Sequence, residues 1–168
     1  MSPAPGGGAL GALEGSGLGQ AMRQWLWLYP SVEVVHIVGI GLLFGSIAVL
    51  DLRLLGFSRN ISVKKLASHV LPWTAASFLL IIPSGFLMFS AHATEFIDSE
   101  VFVLKMLLIM AAGVNAALFH TITFRTADVW DSEEMRKLPP PPSARAAGAA
   151  SLLLWISVIA CGRLLAYF

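Results

Sequence analysis

Four long apolar runs, Ser31–Leu50, Leu66–Ala91, Val101–Phe124 and Ala149–Phe168, dominate the chain. At about 1.5 Å of rise per residue, about twenty residues in a helix cross about 30 Å of hydrocarbon. Lipid offers backbone groups no hydrogen-bond partner, so a spanning chain forms helices or a closed β-barrel. The runs show no alternation of polar and apolar residues, which excludes the barrel. The expected fold is therefore all-α: an integral membrane protein with four transmembrane helices, over about residues 31–52, 66–91, 101–124 and 149–168, in an up-down-up-down bundle. Composition agrees, because 57% of residues are hydrophobic and 12% charged, against about 25% charged in a soluble domain.

The Gly-rich residues 1–20 lack the basic and apolar regions of a signal peptide and read as a flexible tail. Residues 21–168 form the membrane domain, opened by a short interfacial helix over Ala21–Leu28 that carries Trp25 and Trp27. Tyr29-Pro30-Ser31 reads as a corner, with Ser31 capping the first span. The loops after spans one and three hold Arg53, Arg59, Lys64, Lys65, Arg125, Arg136, Lys137 and Arg145, whereas Arg23, Lys105 and Arg163 lie toward the other face. By the positive-inside rule the two basic loops are cytoplasmic and both termini periplasmic. A net charge of +1 without a basic run argues against nucleic acid as a partner. The lone Cys161 excludes an internal disulfide and any Cys-based zinc or iron–sulfur site.

Ionisable groups are costly in hydrocarbon, so their depth is informative. Glu33, His36, His92, Lys105 and Arg163 fall toward the outer face, and His69 and His120 toward the inner. A b-type haem between helices needs two imidazoles at one depth. His69 and His120 satisfy this, each about four residues inside a span boundary and on consecutive spans, with Gly113, Ala116 and Ala117 leaving room on the third. The same small residues equally suit close helix packing. His36 and His92 form a second, less well matched pair. Glu33 precedes His36 by about one turn and would orient its ring as an outer partner does for a metal ligand. Lys105 and Arg163 would face haem propionates or another anion, or reach out to headgroups.

Met88 with His92, and Met106 with Met110, suggest an alternative copper site, since thioether and imidazole are Cu(I) ligands. Met is also an ordinary core filler. Gly41 and Gly45 form a small-xxx-small pair expected to mark a helix contact, Pro83-Ser84-Gly85 a kink, and Asp51 and Arg53 a local pair. No hydrolase triad, zinc-protease motif or phosphate-binding loop is present.

The strings YPSVEVVHIVGIGLLFGSIAVLDLRLLGF, LPWT near His69, Lys105-Met106, NAALFH ending at His120 and SLLLW near the fourth span resemble an uncharacterised family of small bacterial four-helix inner-membrane proteins, a domain of unknown function. The likeness runs over the whole chain after the Gly-rich tail. It implies a bacterial source and residence in the inner membrane, as a multi-pass protein, and carries no activity.

The leading functional expectation is an electron-transfer subunit rather than a stand-alone enzyme. It would hold haem b on His69 and His120, with a second haem on His36 and His92, and serve a periplasmic or membrane redox partner. The alternatives are a small transport or metal-handling protein, for copper or an organic anion at Glu33, His36, Lys105 and Met106, and an accessory subunit of a larger membrane complex without a cofactor.

Overall fold

Every regular element among the described residues is helical, as the apolar runs require. The structure, a computed structural model, describes residues 8–165 and Tyr167. The long helices are α3 (Leu28–Leu55), α4 (Val63–Ala91), α6 (Glu100–Leu118) and α8 (Pro142–Leu164). A π turn at Phe119–Thr123 and a 3-10 turn at Phe124–Thr126 extend α6 into the short α7 (Ala127–Trp130). Each span has a mean hydropathy of 1.7 or more, and at most 22% of its most apolar stretch is buried within the chain, so the apolar surface faces outward, toward lipid.

The spans begin and end somewhat beyond their apolar runs. Helix α3 starts at Leu28, and the Ser31 hydroxyl donates back to the Trp27 carbonyl (2.7 Å) from within the first turn, so Ser31 is not the cap expected of it. At the other end Gly56, at φ 106°, closes α3 in the left-handed region that glycine enters without strain, with Phe57 N–H returning to Leu52 O. Helix α8 starts at Pro142, whose fixed φ and missing N–H suit the first helical position. Helix α4 continues unbroken through Pro72 and Pro83.

Helix α3 packs against α4 and α8, and α8 packs against α6, whereas α4 and α6 form no extended interface. The four spans thus make an arc, in the order α4, α3, α8, α6, that closes only at its ends. At the basic end Leu50, Leu54, Val63, Ala67, Phe119 and Ala144 form one buried cluster drawn from all four. At the opposite end Phe89 of α4, Phe96 of α5 (Ala93–Asp98) and Phe102 of α6 stack with centroids 5.5–6.3 Å apart.

Where the composition suggests a tail, residues 8–24 fold into α1 (Ala9–Glu14) and α2 (Gly17–Gln24), so the interfacial helix lies earlier than Ala21–Leu28; residues 1–7 of that tail lie outside the described residues. Ser16 caps α2 by accepting from Gly19 N–H (3.2 Å). Gly19 lets α2 approach α4: a Cβ there would stand 2.7 Å from the Ser90 carbonyl oxygen. Arg23 donates to Ala91 O (2.6 Å), and the Glu14 carboxylate accepts from the backbone N–H and hydroxyl of Thr94 (2.8 and 2.7 Å). Those bonds hold the Glu14 carboxyl below the usual carboxylate range. Trp25 and Trp27 remain exposed in the link to α3, as membrane-interface indoles would be.

Candidate functional site

The face of α3 formed by His36, Gly39, Leu43 and Ser46 turns toward α4. Gly39 and Leu43 are buried, and a Cβ on Gly39 would meet Ile81 Cγ1 at 2.8 Å, so the two backbones are close. Two turns past Gly39 along α3, Ser46 and Thr74 share a hydrogen bond of 2.9 Å. One turn before Gly39, the half-buried His36 ring lies over Gly85, whose missing Cβ makes the space; a Cβ there would be 3.1 Å from His36 Cε1.

This ring is tied to α4 by a side-chain hydrogen bond. Ser84 Oγ lies 2.8 Å from His36 Nδ1. The single hydroxyl proton of Ser84 is committed to the Leu80 carbonyl, with Ile81 O a second acceptor at 3.2 Å. With that proton on a backbone carbonyl, Ser84 Oγ can accept from His36 Nδ1–H, the tautomer that leaves the lone pair on Nε2. The partner expected from spacing was Glu33. It is exposed and close enough to act electrostatically on His36, but it does not hold the ring. Ser84 was legible only as part of a proline kink; its role depends on α3 lying against α4.

Lys105 is half-buried between α6 and α8, its Nζ 3.5 Å from where a Cβ on Gly162 would stand. It is near enough for its charge to act on His36. No carboxylate pairs with it among the described residues. Arg163, expected in the same cluster, is exposed and bound to its own terminal turn, donating to Tyr167 Oη (2.7 Å) with the guanidinium 4.9 Å from that ring. The outer site is thus the His36–Ser84 pair between α3 and α4, with Lys105 separately placed between α6 and α8 and Glu33 exposed at the margin.

The paired histidines are not brought together. His92 ends α4 beside Glu95 (3.2 Å) and edge-on to Tyr29 and Phe96. It is seven residues past the Gly85 that seats His36, about 10 Å along the axis. His69 is exposed and donates from Nδ1 to Lys65 O (2.7 Å). His120 lies in the π turn against the edges of Phe119 and Phe124 (5.4 and 5.2 Å). Consecutive spans are expected to be neighbours, but α4 and α6 meet only at their ends and form no extended interface, and Gly113, Ala116 and Ala117 are exposed. The copper set fares similarly: Met88 is half-buried, while Met106 and Met110 are 43% and 67% exposed. No group of three metal-binding His, Cys, Asp or Glu side chains occurs among the described residues.

Two further expectations change. Gly41 and Gly45 are exposed, with nothing within 4 Å of a Cβ at either, so they mark no contact within the chain. Arg53 does not pair with Asp51. Its guanidinium binds Asp131 at 2.9 Å, both side chains being almost fully buried, and Asp131 also accepts from Ser62 Oγ (2.8 Å) and Val63 N–H (2.7 Å). Asp51 is buried where Gly148 admits α8 closely, with Oδ2 unpartnered. Asp131 carries no distinguishing mark among the loop acids Asp128, Glu133 and Glu134.

The family of unknown function DUF6644 matches residues 13–168, and the chain belongs to it. No curated protein and no solved structure matches the chain.

Proposed function

We propose that the chain is a membrane haem-binding electron-transfer subunit, with His36 as the axial ligand of a single haem b in the half of the bilayer away from the basic loops. The observation that carries this reading is the His36–Ser84 pair. An axial imidazole needs its Nδ1–H held by an acceptor so that Nε2 faces the iron with its lone pair, and Ser84 supplies that hold. Lys105, without a carboxylate partner among the described residues, would neutralise a propionate. Between their ends α4 and α6 share no extended interface, and that open side of the arc is where the macrocycle would enter. The haem would supply one-electron chemistry, exchanged with a redox partner in or beside the bilayer.

An absorbance spectrum of the purified, dithionite-reduced protein tests this. A Soret band and a sharp α band are expected, abolished by His36→Ala and retained in His69→Ala and His120→Ala. A colourless protein from cells supplied with haem would overturn the reading.

A second reading rests on Lys105: an ammonium without a counter-ion beside an imidazole acceptor suits a small organic anion, as cargo or ligand. A colourless preparation whose thermal midpoint rises with added carboxylate, and does not in Lys105→Met, would favour it.

A further inference from the structure

We propose that the basic end of the bundle binds a phosphate group, from an anionic phospholipid headgroup or from free phosphate, on the guanidinium groups of Arg53, Arg59 and Arg136. The three arginines surround the loop between α3 and α4 and engage its carbonyls. Arg53 Nε donates to Ile61 O (2.6 Å), Arg59 Nε to Gly56 O (3.0 Å) and Arg136 Nη1 to Asn60 O (3.2 Å). Arg53 Nη2 is taken by Asp131 (2.9 Å). Two buried donors remain without an acceptor among the described residues, Arg53 Nη1 and Arg136 Nε. Arg53 itself is only 3% exposed, whereas Arg59 is exposed and Arg136 half-buried, so the cluster opens on the side of those two.

The charges leave the same deficit. Among the described residues Asp131 is the one carboxylate paired with these arginines, and both its oxygens are already committed, Oδ1 to Arg53 and Oδ2 to Ser62 and Val63. Glu133 and Glu134 are exposed and form no ion pair with these arginines. Three guanidiniums on one carboxylate leave an excess of two positive charges around two orphaned donors. A tetrahedral oxyanion supplies both the charge and several acceptors, in the geometry a guanidinium fork recognises. Arg53 stands two residues before the end of α3, the depth at which a bilayer carries its phosphates.

The test uses the full chain, purified and delipidated in a neutral detergent, with the thermal midpoint followed during titration with phosphatidylglycerol, phosphatidylcholine or inorganic phosphate. Phosphatidylglycerol is expected to raise the midpoint more than phosphatidylcholine does. If inorganic phosphate raises it as well, the phosphate group alone suffices; if it does not, the site is one for lipid headgroups. Arg136→Gln is expected to weaken the response about ten-fold. Arg59→Gln, at an exposed side chain, gives a variant that leaves the buried Arg53–Asp131 pair in place and weakens binding in the same direction. No response to either phosphatidylglycerol or inorganic phosphate beyond that to phosphatidylcholine and chloride would overturn the proposal, as would an unchanged response in both variants.

Discussion

The two ends of the bundle are held by different physics. At the basic end a buried ion pair, Arg53–Asp131, sits beside an apolar cluster drawn from all four spans. At the other end the closures are the stacked Phe89, Phe96 and Phe102 and a few polar ties from α1 and α2, which are part-buried or exposed. A buried, fully committed carboxylate cannot exchange its partners for water, whereas the ties of Glu14 and Arg23 can. The end that carries His36 and Lys105 is thus the more easily opened, as a site that admits a ligand requires.

The largest effect that would break this comparison is at Asp131. Asp131→Ala leaves the Arg53 guanidinium buried and unpaired and is expected to destabilise the fold by about 3–5 kcal/mol. Unfolding in mixed micelles measures this, and a loss near zero would mean that the basic end is no stiffer than the other.

A smaller effect separates the glycines of α3. Gly39→Ala places a Cβ 2.8 Å from Ile81 Cγ1 and 3.1 Å from Leu80 Cβ, for an expected loss of about 1–3 kcal/mol. Gly41→Ala meets nothing within 4 Å and should change stability by less than about 0.5 kcal/mol. Equal losses in the same assay would place Gly41 in a contact with another molecule.

The smallest effect is one of pH. The Glu14 carboxyl is held below its ordinary value of 4.5 by its bonds to Thr94. Its contribution is therefore fully present above that value and is lost as pH falls through the lower, folded one. Amide exchange across residues 9–24 should accelerate there while the amides of α8 stay protected; a uniform response would mean that α1 and α2 are not an independently opening unit.

Much of this was legible beforehand. The four spans and the depth of the ionisable residues along them follow from length and hydropathy. Depth does not say which way a side chain turns: His69 is exposed and bonded to Lys65 O, His120 lies in the π turn after α6 against Phe119 and Phe124, and α4 and α6 meet only at their ends. The helices at residues 9–24 were hidden by their Gly and Ala content, since their anchors, Ser90, Ala91 and Thr94, are about 70–80 residues away.

Sequence by itself determined that the chain is helical, that four of its helices are long and apolar enough to cross a bilayer, and which residues carry charge within those helices. These are properties of single segments, set by the transfer of side chains and backbone from water to lipid. Tertiary structure alone decided that Ser84 rather than Glu33 holds His36, that Asp131 rather than Asp51 neutralises Arg53, and that Gly39 rather than Gly41 lies in a helix contact. Each is a choice of partner. Lipid presents a nearly uniform surface to every helix, so partner choice falls to short-range packing and hydrogen bonding between segments, which hydropathy does not encode.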